Sequence, residues 1–248
     1  MKIAVCVSHV PDTATRIKIA GDQKSIDPAG VSFVLNPYDE IAVEEALKTK
    51  EKFGGEVVVV SIGGDQVKET IRKSLAMGVD EGVHLKTDEA LDSFAVAQAL
   101  ADEIKSSGCE LVFMGKQSVD YDNGTVGQLT AELLGYNSIA VCVTFQLEGT
   151  TVTAEREIEG GKEVVETSLP CIITAQKGLN EPRYASLKGI MTAKKKVIQE
   201  KLLGAKPVRV ENLLLKMPIA KNPGRILGSD SSAVAELVKL LHEEAKVI

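Results

Sequence analysis

The amino-acid sequence predicts an α/β protein: a doubly wound parallel sheet with an appended antiparallel β-hairpin region and a C-terminal arm. Three observations carry this. Near-continuous apolar runs of the kind found in strands covered on both faces recur at residues 2–7 (KIAVCV), 56–62 (EVVVVSI) and 111–114 (LVFM). Segments with helical spacing of apolar residues stand between them, each closed by glycine. The links are short, and strands alternating with helices over short links imply parallel strands joined by right-handed crossovers. At 248 residues and 44% hydrophobic content, the chain suits one substantial core with extensions.

Taken in order, residues 2–7 read as the central strand. Residues 9–35 carry turn residues around short β-like runs, an excursion or hairpin in which His9 makes an ordinary polar contact. Asn36-Pro37-Tyr38-Asp39 then opens a helix, with Asn as N-cap, Pro at the first helical position and an acidic residue at the third. Ile41, Ala42, Val43, Ala46 and Leu47 give it a buried face, and Gly54-Gly55 end it. After the second strand, Asp65 is expected to cap a helix that runs to Met77 and closes on Gly78. The glycine pair before it fits neither G-x-G-x-x-G nor G-x-x-x-x-G-K-[ST], so a tight turn is the reading, and Asp65 reads as a cap rather than a metal ligand. A shorter strand at residues 81–85, a helix at 91–106 and the strand at 111–114 continue the rhythm.

The stretch that organises the rest lies between Glu110 and Gly135. Strand 111–114 breaks at Gly115, passes through a polar loop and resumes as a helix predicted to bury Val126, Leu129, Leu133 and Leu134. Ligands of open α/β sheets bind at the carboxyl ends of the strands, and a helix N-terminus offers unpaired N–H groups to an anion. Gly124-Thr125 stands where a phosphate would dock. An ordinary crossover loop capped by Asn123 or Thr125 is the competing reading of the same residues.

From residue 139 the pattern changes. Runs at 141–147, 151–158 and 162–168, separated by Glu148-Gly149 and Glu159-Gly160-Gly161, predict a β-meander. Arg156 sits in it among Glu155, Glu157 and Glu159 as a surface ion-pair cluster or, alternatively, a buried partner contact. Residues 170–175 read as another core strand. Segment 178–198 combines Pro182 and Gly189 with apolar Leu187, Ile190 and Met191 and the basic run Lys194-Lys195-Lys196. Residues alone favour a short helix packing its leucine inward over a docking loop. An irregular arm to Leu227 and an amphipathic helix at 231–247, with His242 facing solvent, complete the chain. The division is residues 1–178, a nucleotide-binding α/β domain including the meander at 141–168, and residues 179–248, a recognition loop and arm.

A net charge of −6 argues against nonspecific nucleic-acid binding, which needs a basic face. Cys6, Cys109, Cys142 and Cys171 lie far apart without C-x-x-C spacing and read as buried thiols in a reducing, cytoplasmic setting. No run has the length of a membrane span and no targeting peptide is expected. There is no G-x-S-x-G, no H-E-x-x-H and no clustered metal spacing, so no catalytic constellation and no metal site is predicted.

Four segments closely resemble the beta-subunit branch of the electron transfer flavoprotein family: residues 36–46 (NPYDEIAVEEA), 74–80 (SLAMGVD), 115–120 (GKQSVD), and 179–187 (LNEPRYASL) followed by 193–196 (AKKK). The resemblance covers nearly the whole chain in order. It implies a Rossmann-like fold akin to adenine-nucleotide hydrolases and a heterodimer whose alpha subunit holds most of the redox-active FAD, while this chain holds AMP. Carried over by position, AMP contacts fall on Cys6, Asn36, Pro37, Tyr38, Asp39, Ile62, Gly115, Lys116, Gln117, Asp120, Asp122, Asn123, Gly124, Thr125 and Val126. The docking segment falls on Tyr184, Leu187, Ile190, Met191, Lys194, Lys195 and Lys196. Implied partners are the alpha subunit, acyl-CoA and related dehydrogenases, and the electron transfer flavoprotein-quinone oxidoreductase. The electron-bifurcating branch, with a second FAD in place of AMP, typically carries D-R-x-F-x-G-x-D-T after the third strand, whereas residues 86–93 read KTDEALDS. An ATP-using enzyme or sensor of the same fold is the other alternative. Thr13 stands where many members carry Tyr near the flavin, so the resemblance carries no isoalloxazine contact over to this position.

Overall fold

The computed structural model describes residues 1–220 and 223–248. Strand β1 (Lys2–Cys6) leads into a small antiparallel ribbon of β2 (His9–Pro11) and β3 (Phe33–Leu35), which makes the expected excursion of residues 9–35 two short paired strands joined by a long connection. There His9 stacks on Phe33 and its Nδ1 lies 2.7 Å from the Thr70 hydroxyl. Helix α1 (Pro37–Phe53) has Pro at its start, Asp39 and Glu40 in its first turn, and Lys50 and Lys52 in its last, all favourable to its dipole.

Strand β4 (Glu56–Gly63), helix α2 (Val67–Met77), strand β5 (Glu81–Lys86), helix α3 (Ser93–Ser107) and strand β6 (Leu111–Gly115) follow. Two expectations are corrected here. Asp65 does not cap α2; its carboxylate pairs with Lys68 and Lys86 instead. Helix α3 starts at Ser93, not Leu91, because Asp92 accepts from Ala95 N at 2.8 Å as its N-cap.

Helix α4 (Val126–Leu134) leads to β7 (Asn137–Glu148), β8 (Thr151–Ile158), β9 (Gly161–Ser168) and β10 (Cys171–Ala175). Beyond them lie α5 (Leu187–Ala193), β11 (Ile198–Leu202) and a terminal helix α6 (Val234–Leu240), flanked by a 3₁₀ turn (Ser231–Ala233) and a π turn (Leu241–Ala245). One sheet of nine strands runs β11-β5-β4-β1-β6-β10-β7-β8-β9. Strand β1 is the middle of its seven parallel members, paired with β4 on one side and β6 on the other. The meander is continuous with this sheet, because β10 inserts between β6 and β7, and β8 and β9 then extend it antiparallel. Strand β11, expected as irregular arm, closes the opposite edge against β5.

Residues alternate between two cores along each strand. Ile3, Val5, Val57 and Val59 face α1 and α2, whereas Ala4, Cys6, Val58 and Val60 face α3 and α4. Helix α4 departs in part from its predicted face, since Val126 and Leu134 pack against the core but its most buried positions are others. It buries Gly127, Thr130 and Ala131 and leaves Leu133 exposed, since Gly127 packs against Thr174 where a side chain would not fit.

The arm crosses the body before leaving it. Arg209 N and Val210 N donate to Asp92 Oδ2 at 2.7 and 2.8 Å, the Arg209 guanidinium stacks on Phe94, and Leu215 N donates to Gln23 O. Farther on, Met217, Ile219, Ile226, Val234, Leu237 and Val238 are exposed apolar residues, and His242 faces solvent as expected.

Helix α5 rests on the C-terminal end of α2 through a close approach at Gly189, where an added Cβ would strike the Ala76 carbonyl oxygen. Gly189→Ala is therefore expected to cost about 1–3 kcal/mol of stability by forcing the two helices apart. A lowered urea midpoint at unchanged slope is the expected signature.

Candidate functional site

The sheet changes winding direction at β1, since the connections through α1 and α2 build outward on one side and α3 carries the chain across to β6 on the other. The ligand cleft of such sheets lies there, beyond the carboxyl ends of β1, β4 and β6. The residues that shape it come from the first turn of α1 and from the loop between β6 and α4.

Asp39 is the keystone. Its carboxylate is buried and accepts Ser8 N on Oδ2 at 2.7 Å and Gly115 N on Oδ1 at 2.9 Å, joining α1 to the chain just past β1 and to the end of β6. Gly115 has no alternative, because a Cβ there would collide with that carboxylate and with the Tyr38 backbone. Burial pushes the Asp39 carboxyl up to about 7 against the opposing pull of its N–H donors.

Asn36 precedes α1 without a side-chain capping bond. Its amide reaches instead to the loop after β6: Nδ2 donates to Gln117 O at 2.9 Å, and Oδ1 accepts from Val119 N at 3.3 Å. The loop is further shaped by Gln117 Nε2 donating to Asp122 Oδ1, by Asn123 Nδ2 donating to Ser93 Oγ, and by Asp122 in the left-handed region at φ 54°. Lys116 holds its ammonium 5.1 Å over the Tyr38 ring.

At the far end of the loop, Thr125 occupies the N-cap of α4 but makes no side-chain cap bond. Among the described residues, the N–H groups of Val126, Gly127 and Gln128 have no protein acceptor. Gly124 meets nothing closer than the Lys116 carbonyl at 3.5 Å. Open donors, a glycine without a screening side chain and a helix dipole together fit an anionic phosphate.

The structure thus ties Asn36, Pro37, Tyr38, Asp39, Gly115, Lys116 and Gln117 together, with Asn123, Gly124, Thr125 and Val126 following along the same loop into α4. Asp120 and Tyr121 lie on the exposed outer bend. Cys6 and Ile62 differ from these. Cys6 is buried at the end of β1 in the core facing α3 and α4, with its thiol pushed well up by burial, and Ile62 packs against that same core. Ser8 and Ser93 are cleft residues that sequence reading missed, and no local signal marks them, since each is defined by a partner distant in sequence.

The second predicted group lies on the opposite end of α1. Tyr184, Leu187 and Met191 are 99%, 83% and 71% exposed, so the segment does form a short helix but turns its leucine outward, against the inward packing favoured by residues alone. Ile190 is partly covered, and Lys194 and Lys195 are exposed. Lys196 is not free: its ammonium is taken up by the Val79 and Leu75 carbonyls at the end of α2. The segment is braced at its start by Arg183, which clasps Glu44 and Glu51, and by Asn180, which bonds Ile41 O and Glu45. At its end Arg72 holds the Ala193 and Lys196 carbonyls.

A doubly wound, mostly parallel sheet with its switch point at β1 defines a Rossmann-like α/β class of protein, whose members bind ligands at the carboxyl ends of the strands. Comparison with known proteins narrows this. The family model described as electron transfer flavoprotein domain matches residues 24–203. The chain is 41% identical to the electron transfer flavoprotein subunit beta of Bradyrhizobium diazoefficiens, with all of both chains covered, and 37% identical to that of Bacillus subtilis, likewise complete. It is 38% identical to that of Mus musculus, covering all of this chain and 99% of the other. The chain belongs to the electron transfer flavoprotein family. No helix of the described residues is long and apolar enough to cross a membrane.

The raised Asp39 carboxyl has a consequence for stability. An acid whose folded pKa lies above its unfolded value of about 3.9 is stabilising in full only below that value, and the contribution fades as pH rises toward 7. The unfolding free energy of wild type minus that of Asp39→Asn is therefore expected to shrink as pH is raised from about 4 to 7. Urea denaturation at stepped pH values measures it, and a flat difference would contradict the assignment.

Proposed function

We propose that this chain is the beta subunit of a heterodimeric electron transfer flavoprotein, an electron carrier without catalytic residues of its own. The observation that carries the proposal is its likeness, end to end, to proteins named electron transfer flavoprotein subunit beta. In this reading the cleft binds AMP structurally. Asn36 and Asp39 hold the loop, the free N–H groups of α4 and the Lys116 ammonium take the phosphate, and the apolar floor at Cys6 and Ile62 supports the base. FAD, held mainly by the alpha subunit, supplies the redox chemistry.

The exposed apolar arm from Met217 to Val238 and the outer strands β8 and β9 form the surface that joins the alpha subunit and completes the flavin site, an obligate interface richer in apolar area than a transient one. Tyr184, Leu187, Ile190 and Met191, with Lys194 and Lys195 beside them, dock on acyl-CoA and related dehydrogenases, from which electrons pass toward the quinone oxidoreductase. The proposed location is the cytoplasm.

Denaturing the purified heterodimer and identifying the released nucleotides tests the cofactor reading. AMP near one per beta chain is the expected result. A second FAD would indicate the bifurcating type, and turnover of added ATP an enzyme or sensor. Replacing Gly124 or Thr125 with Glu is expected to expel AMP, because a carboxylate would occupy and repel the phosphate position. Retention of AMP at wild-type stoichiometry would place the phosphate elsewhere.

Leu187→Ala is expected to weaken dehydrogenase coupling by one to two orders of magnitude, the equivalent of about 1.5–3 kcal/mol for burying one leucine. The melting temperature and AMP content should stay near wild type, since the side chain contributes nothing to the core. A core leucine would instead lose about 2–5 kcal/mol of stability.

A further inference from the structure

Away from the cleft, His84 on β5 is fully buried, and its two ring nitrogens have different fates. Nε2 lies 2.8 Å from the Gly63 carbonyl oxygen. A carbonyl only accepts, so Nε2 carries the proton and Nδ1 presents a bare lone pair. Among the described residues Nδ1 has no hydrogen-bond partner, although it is buried. It points toward Glu200 Oε2, 3.7 Å away on the neighbouring edge strand β11, and one ligand atom each of His84, Glu200 and Asp65 lie within 4.8 Å of one another.

We propose that His84 Nδ1, Asp65 and Glu200 form a binding site for a divalent transition-metal cation such as Zn²⁺. One nitrogen with two carboxylate oxygens suits this class, whereas Mg²⁺ prefers oxygen alone. A tetrahedral Zn²⁺ with bonds of about 2.0–2.2 Å sets its ligand atoms roughly 3.4 Å apart, near the His84–Glu200 spacing already present. Asp65, well exposed at the start of α2, has the freedom to close the remaining distance. The Gly63 carbonyl is the outer partner that a metal-binding histidine needs, since it fixes the ring and its tautomer.

The position between the carboxylates is held by a cation already. Lys68 Nζ bridges Asp65 at 2.6 Å and Glu200 at 2.7 Å, with Lys86 Nζ at 3.0 Å from Asp65. Ion pairs this exposed contribute little, so a metal that also gains the buried imidazole displaces the ammonium at small cost. Lys68 is thus a built-in competitor. A bound ion would rivet β11 to β5 and to the start of α2. This inference does not depend on the proposed function.

The test uses the full-length chain, free of any affinity tag and stripped with EDTA. Calorimetric titration with Zn²⁺ should show one equivalent bound and a raised melting temperature, and Co²⁺ should give visible d–d bands. Glu200→Gln and His84→Gln should each weaken binding at least about tenfold, whereas Lys68→Met should tighten it by a similar factor. Because replacing a buried histidine can unfold the chain, Glu200→Gln and Lys68→Met decide the matter by themselves. Unchanged affinity in Glu200→Gln, no gain in Lys68→Met, equal binding of Mg²⁺, or no saturable binding would each overturn the site.

Discussion

The structure depends on one buried carboxylate. Asp39 is withdrawn from water at a cost that its two N–H partners only partly offset, and what the cost secures is geometry. Ser8 and Gly115 lie just past the central strand and at the end of its neighbour, so one side chain fixes the spread between two strand ends and the start of the helix above them. Asn36, one turn earlier, extends the same restraint to the loop. The frame of the cleft is therefore set by internal bonds, and a ligand entering it meets donors already in place. Such preorganisation lowers the ordering cost of binding.

Helix α1 connects this cleft to the exposed segment near residue 187. Its first turn carries Asn36 and Asp39, and its later turns carry Glu44, Glu45 and Glu51, which receive Asn180 and Arg183. The buried Glu44 takes a two-pronged guanidinium contact, the geometry in which an arginine is not replaceable by lysine. Two surfaces that share no residue thus share one rigid element.

Much of this was legible in the sequence because each buried strand is an apolar run and each helix is punctuated by glycine. The failures have physical reasons. Strand β11 reads IQEKL, which does not signal a strand, since an edge strand exposes most of its side chains and need not look apolar. The α4 prediction counted leucines, but close packing on β10 demanded the small residues Gly127, Thr130 and Ala131. Hairpin signals gave the local pairs β7·β8 and β8·β9 correctly; the insertion of β10 between β6 and β7 is a long-range pairing that no local signal encodes. In the cleft, helix start and loop were readable from residue types, whereas the Asn36 and Asp39 bonds span 81 and 76 residues and are visible only in the fold. Lys196 shows the same limit at the surface: three consecutive lysines look alike until one turns inward to cap α2.

The bracing of α5 bears on how the proposed docking of a dehydrogenase would begin. Its apolar side chains stand on backbone that Arg183, Gly189, Arg72 and Lys196 hold from four directions. A partner need not wait for that backbone to fold around it, so association is not slowed by a conformational step. Only a few side chains project, so little area is available to retain the partner once it has arrived. In the proposed docking role, a rigid knob of small footprint would produce brief, frequent visits, with residence time set by the few projecting side chains rather than by rearrangement of the chain that presents them.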